Sequence, residues 1–260
     1  MTDPARLSLN LITVDHWSLE EAVERCVAAG IGWVAPWRHQ LTPAAAQTIS
    51  AAGLRVSSLC RGGFFTAAGA DDDNRRAVDE AAELGAPVLV LVCGPPVDGD
   101  LRAARATIAA GIERLLPHAA ACGVRLGIEP LHPMMVGERS AIVTLGEAVD
   151  LALRFDADRV GVVIDAYHVW WDPALEREIA RAAGRIVGFH VSDWLVPTPD
   201  LLQGRGMMGD GIIDLRRMRA LVEDAGYDGP IEVEVINREA WERPGDEIVA
   251  DACEAFLRSV

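Results

Sequence analysis

Eight times along this chain a short apolar run gives way to a longer stretch patterned like a helix, and that alternation limits the possible folds more than any other feature. The strand-like runs lie at residues 6–13, 31–37, 55–60, 87–93, 125–132, 160–169, 186–194 and 230–236. Helix-like stretches follow at 18–30, 42–53, 71–84, 100–122, 144–155, 173–183, 214–225 and 244–257. Strands separated by helices pair in parallel, with helices covering the sheet. The run at 87–93 is apolar throughout, as expected of a strand covered on both faces.

Eight such units in 260 residues suit a closed barrel, which takes about 250. The expected fold class is therefore α/β, a single (β/α)8 TIM barrel, with residues 1–260 forming one domain. No G-x-G-x-x-G follows the first run, so an open doubly wound sheet with a dinucleotide site lacks its signature. Local punctuation agrees. Ser18-Leu-Glu-Glu21 reads as a capping box, Thr42-Pro43 as a helix start, and Gly30, Gly53, Gly85, Gly123 and Gly226 as helix stops. Arg61-Gly-Gly-Phe-Phe65 reads as a flexible loop after the third strand.

Composition narrows the function. Half of the residues are hydrophobic, enough for a full core, and 24 basic against 39 acidic side chains give a net charge of −15. Such a surface repels nucleic acid. No run is long and apolar enough for a membrane span, and no signal peptide is evident, so the expected compartment is the cytoplasm. The five cysteines are scattered without C-x-x-C spacing, which suits reduced, buried thiols.

Four of the apolar runs carry an ionisable residue near their C-terminal ends: Glu129, Asp165, His190 and Glu234. An ionised group inside a strand is costly unless paired or bound to a cation. Barrel active sites form at the C-terminal ends of the strands, and successive strands are neighbours there. These four side chains can thus converge on one divalent cation. Three carboxylates and one imidazole suit Mn²⁺ best, with Mg²⁺ or Co²⁺ possible and Zn²⁺ less favoured.

The chain resembles the xylose-isomerase-like superfamily of sugar isomerases and epimerases, over nearly its whole length in the eight-unit layout and most specifically in its second half. The resemblance rests on Gly127-Ile-Glu129-Pro, Asp165-Ala-Tyr-His168, His190-Val-Ser-Asp193, Arg205-Gly-Met-Met-Gly209-Asp-Gly211 and Ile231-Glu-Val-Glu234. The ending Glu234-Val-Ile-Asn-Arg-Glu-Ala-Trp241 is closer to the keto-inositol isomerase branch than to the ketose 3-epimerases. It implies Glu129 and Glu234 as both metal ligands and acid/base groups, and association into a homodimer or homotetramer. One departure stands out: Arg205 lies fifteen positions past His190, so it reaches a substrate only if the intervening segment folds as an extra flap.

The groups present support proton abstraction next to a carbonyl of a small sugar or cyclitol ketone, through an enediolate. Two carboxylates on opposite faces of one carbon give epimerisation; one carboxylate moving a proton between carbons gives isomerisation. A leaving group β to the carbonyl gives a lyase, such as an inosose or dehydroshikimate dehydratase or a keto-glycoside deglycosidase. His168 and Arg205 are expected to contact substrate, with Trp17, Trp37 and Trp194 at the mouth. His132 is a weaker candidate for the entrance, and Asp193 is expected to cap the loop more than to orient His190. A three-metal, histidine-rich phosphodiesterase on this scaffold fits poorly with six histidines and the charge of −15.

Overall fold

The computed structural model describes residues 3–260. Its strands are β1 Leu7–Asn10, β2 Trp33–Ala35, β3 Arg55–Val56, β4 Leu59–Gly63, β5 Val88–Val92, β6 Arg125–Ile128, β7 Val160–Asp165, β8 Ile186–Val191, β9 Asp193–Trp194, β10 Arg205–Gly206 and β11 Ile231–Val233. The helices are α1 Leu19–Ala28, α2 Ala45–Ala51, α3 Ala70–Leu84, α4 Leu101–Ala121, α5 Leu145–Ala152, α6 Ala166–Val169, α7 Leu175–Arg181, α8 Leu215–Asp224 and α9 Gly245–Ser259. Nine strands pair in the order β3-β2-β1-β11-β8-β7-β6-β5-β4, every pairing parallel. A single parallel bridge between Trp37 and Cys60 draws the two sides together, giving a nearly closed barrel.

The third expected strand is two pieces, β3 and β4, broken at Ser57 and Ser58. The stretch expected to be a flexible loop is largely strand: Arg61, Gly62 and Gly63 belong to β4. Close packing explains the glycines. A Cβ on Gly62 would stand 2.9 Å from Leu89 Cδ2, and one on Gly63, at φ 104°, would stand 2.0 Å from the Val92 carbonyl oxygen. Asn74 of α3 then clamps this strand, accepting from Gly63 N at 2.6 Å and donating to Gly63 O at 2.7 Å.

The longer helices bury one stripe each, whereas the short α6 is buried all round. In α1 the buried positions are Leu19, Ala22, Val23 and Cys26, the spacing of one helical face. The Ser18 hydroxyl accepts from Glu21 N at 3.2 Å, as expected of that cap. α2 starts later than Thr42-Pro43 suggested, with Ala44 at its cap and no side-chain capping bond. Strands six and seven stop short of the expected limits. Residues 166–169 turn into α6, and Asp193–Trp194 leaves the barrel to pair antiparallel with β10. Leu9, Leu89 and Leu126 are fully buried in the main core, each worth about 1.5–3 kcal/mol.

All five cysteines are free; Cys26, Cys60 and Cys93 are buried, while Cys122 and Cys253 are partly exposed. No helix among the described residues is long and apolar enough to cross a membrane. The N-terminal floor of the barrel holds a cavity of about 400 Å³, whose lining includes Trp33, Val187, Tyr227 and Glu232.

Candidate active site

Glu129 follows the last residue of β6, Asp165 ends β7, His190 is the penultimate residue of β8, and Glu234 follows β11. One ligand atom from each lies within 4.8 Å of the other three, and all four residues are buried. Bonds of about 2.1 Å to one ion would set such atoms about 3–4 Å apart, so the cluster needs little contraction to share a cation. Register helps to place them: Asp165 pairs with His190, and His190 with Glu232.

The electrostatics are unbalanced. Glu129, Asp165, Glu232 and Glu234 are buried around one guanidinium, Arg205, and one imidazole, His190. Burial pushes Glu234 up to about 8, against the pull of Arg205 and His190. Burial likewise raises Glu129, with His190 opposing it. Burial works against the charge of Asp165 too, but Arg205, His168 and His190 hold it below the ordinary carboxylate value. Burial disfavours a charged His190, yet Glu232, Glu129 and Glu234 raise it to about 10.

Arg205 donates through Nη1 to Asp165 Oδ2 and to Glu234 Oε2, both at 2.9 Å. The distance in sequence from His190 is solved by a hairpin. Residues 195–204 leave the barrel and return so that Arg205 pairs with Trp194 and Gly206 with Asp193. Asn237 donates to Arg205 O at 2.8 Å, and Arg205 N donates to Ile236 O at 3.2 Å, fixing the returning strand. Asp193 holds the loop, not the imidazole: it accepts from Trp194 N, Gly209 N and Ile213 N at 2.9–3.0 Å.

His168 accepts the His132 amide at Nδ1 (3.3 Å), while its Nε2 lies 3.2 Å from Arg205 Nη2 and 3.5 Å from Asp165 Oδ2. Burial holds it neutral, lowering it to about 3. Trp194 stacks on His132 at 5.0 Å between centroids and leans on Tyr167 at 4.8 Å. The tip of the hairpin closes over this wall. Tyr167 Oη donates to Leu201 O at 3.1 Å, and Leu202 packs with Val92, Leu131, Met135 and Tyr167.

Trp37 approaches the cluster indirectly, its Nε1 donating to Asn10 Oδ1 at 2.9 Å. Asn10 in turn donates to Glu234 Oε1 at 3.0 Å. Trp17 is different: it is seated on Gly245 at the start of α9, where a Cβ would stand 2.2 Å from its ring. The structure thus sets His168 and Arg205 against the acidic cluster, places Trp194 behind Tyr167, links Trp37 to the cluster through Asn10, and seats Trp17 against α9. Sequence reasoning passed over Asn10, Tyr167 and Glu232. For Glu232 the signal was present, since two residues before Glu234 in a strand is the same face.

The donor set fits a divalent cation. Glu129 Oε1 and both ring nitrogens of His190 are buried without a hydrogen-bond partner among the described residues, although His190 Nδ1 is 3.3 Å from Glu129 Oε1. The atoms are close but the N–H directions miss the oxygens. Asp79, His118 and Cys122 form a second grouping of ligating types, but Asp79 is exposed and already bonded to His118 at 2.7 Å, a tie between α3 and α4.

Residues 21–260 match the family model described as xylose isomerase-like TIM barrel. Protein SMc04130 from Sinorhizobium meliloti 1021 has a solved structure that superposes with a TM-score of 0.95 at 46% identity, over 99% of each chain. A 3-dehydroshikimate dehydratase of Pseudomonas aeruginosa is 32% identical over 167 residues, 62% of this chain and 25% of that protein. An inosose isomerase of Bacillus licheniformis is 26% identical over 146 residues, 53% of this chain and 49% of that protein. The matches thus span a quarter and about half of those two relatives' own lengths.

Proposed function

The chain belongs to the xylose isomerase-like TIM-barrel family, and from that premise we propose that it is a divalent-metal-dependent isomerase or epimerase of a sugar or keto-inositol. The observation that carries this reading is the buried convergence of Glu129, Asp165, His190 and Glu234 at the C-terminal mouth of the barrel. These four residues would hold the cation. When bound, it supplies Lewis-acid polarisation of a substrate carbonyl and its neighbouring hydroxyl. Mn²⁺ suits three carboxylates and one imidazole best.

The chain's own groups do the rest. Glu234, a buried carboxylate at the cation site, can exchange a proton with a carbon next to the carbonyl. Glu129 approaches from β6, well round the barrel from β11, and serves as the second acid/base group. Arg205 and His168, whose Nη2 and Nε2 lie 3.2 Å apart, would face the substrate oxygens, where negative charge builds up as the proton leaves. Trp194, Tyr167 and Leu202 exclude water from that charge. Trp37 supports the wall through Asn10.

The test is NMR in D₂O with a panel of keto sugars and keto-inositols, using protein stripped with EDTA and then reloaded with Mn²⁺. Deuterium should enter next to the carbonyl only in the reloaded sample. Turnover by the stripped protein, or reaction without exchange, would overturn the reading.

A second reading, a dehydratase, draws on the 32% identity to the Pseudomonas aeruginosa enzyme. The same proton abstraction then expels a β-hydroxyl. A product lighter by one water in the same experiment would decide for it.

A further inference from the structure

We infer that Glu232 is a positioning residue for His190: it receives the Nε2 proton and thereby presents Nδ1 to the ion. This rests on reading Glu129, Asp165, His190 and Glu234 as a metal centre. Glu232 and Glu234 sit two residues apart at the end of β11 and so share the inward face. They meet opposite edges of the same ring. Nδ1 lies 3.3 Å from Glu129 Oε1 and 3.9 Å from Glu234 Oε2, on the ligand side. Nε2 lies 3.2 Å from Glu232 Oε2, its nearest carboxylate, with the N–H not aligned on it, so a small turn of the ring as Nδ1 takes an ion would complete the hydrogen bond. Glu232 also lines the floor cavity, on the side away from the mouth.

Two neighbours fix this arrangement. Asn10 Nδ2 reaches Glu234 Oε1 at 3.0 Å and Glu232 Oε2 at 3.4 Å, spanning the two carboxylates. Asn10 is itself held, its Oδ1 accepting from Trp37 Nε1 at 2.9 Å and from Ile12 N at 3.2 Å. Gly188 leaves room for the ring: a Cβ there would stand 3.5 Å from His190 Nε2. A neutral imidazole carries one N–H, and an acceptor at Nε2 selects the tautomer whose Nδ1 lone pair is free to bind. Loss of such an outer partner usually weakens metal binding about 10–100-fold.

The experiment uses the full chain, stripped of metal and titrated with Mn²⁺ by calorimetry, as wild type, Glu232→Ala and Glu232→Gln. Glu232→Ala should bind Mn²⁺ about 10–100-fold more weakly, whereas Glu232→Gln keeps an acceptor and should stay within about threefold of wild type. In the ¹⁵N-labelled, Zn²⁺-loaded wild type, the histidine spectrum should show His190 protonated at Nε2. Undiminished Mn²⁺ binding by Glu232→Ala, or a wild-type His190 protonated at Nδ1, overturns the inference while leaving the metal centre standing. A wild type that binds no ion removes the metal centre itself. If Glu232→Ala does not fold, the wild-type tautomer and the Glu232→Gln titration still decide.

Discussion

At the C-terminal ends of β2, β4 and β5 stand Ala35, Gly63 and Val92; at or just past the ends of β6, β7, β8 and β11 stand Glu129, Asp165, His190 and Glu234. The backbone does nearly the same thing in both halves of the barrel. The side chains do not. Cys60 and Val90 of the first half meet Val163 of β7 in a small apolar cluster. The second half surrounds its ring and guanidinium with four buried carboxylates. One half contributes stability by ordinary packing; the other carries charge that ordinary packing would not tolerate.

The contrast breaks first at Glu234. Glu234→Gln should lower kcat about a thousandfold or more while leaving the circular dichroism spectrum unchanged; near-normal turnover would take Glu234 out of the chemistry. Arg205→Met comes next. It leaves Asp165 and Glu234 without their guanidinium, and the metal-stripped protein should lose about 3–5 kcal/mol in urea unfolding. An unchanged midpoint would mean that Arg205 does not balance those charges.

A smaller effect follows from pH. An unfolded chain loses a glutamate proton near about 4.3 and a histidine proton near about 6.5. The native metal-stripped protein keeps them to about 8 at Glu234 and about 10 at His190. It binds more protons than the unfolded chain across that window, so its stability falls as pH rises through it. Urea midpoints measured from pH 5 to 10 should show that decline without metal, and Mn²⁺ should flatten it. In the apolar half, Val90→Ala should cost about 1–3 kcal/mol. Its turnover per folded molecule should be nearly unchanged, and a large loss of kcat would blur the division between the halves.

Much of the charged half is legible in the sequence because buried strands are so uniformly apolar. Glu129, Asp165, His190 and Glu234 each interrupt such a run, and one interruption per strand at matching depth implies convergence. Asn10 gave the same kind of signal, yet a polar residue at a strand end is easily read as the strand stopping. Glu232 was hidden by its neighbour, since one acid per strand satisfied the pattern. The division of the third strand into β3 and β4 was not legible, because it follows from a change of partner, β3 pairing with β2 and β4 with β5. Nor was the seat of Trp17, which depends on a contact with Gly245 far along the chain. The arrival of Arg205 depends on a two-residue antiparallel pairing, too short to announce itself in composition.

That pairing has an evolutionary corollary. The hairpin is tied at its base, through Trp194, Asp193 and Asn237, while its tip reaches across the mouth at Leu201 and Leu202. Changes at the tip that keep the base should leave the guanidinium where it is, although they would alter the cover that Leu202 provides. Such a segment behaves as an interchangeable cassette: descendants of this chain can acquire new clientele by rewriting a few surface codons, with the reactive apparatus inherited intact.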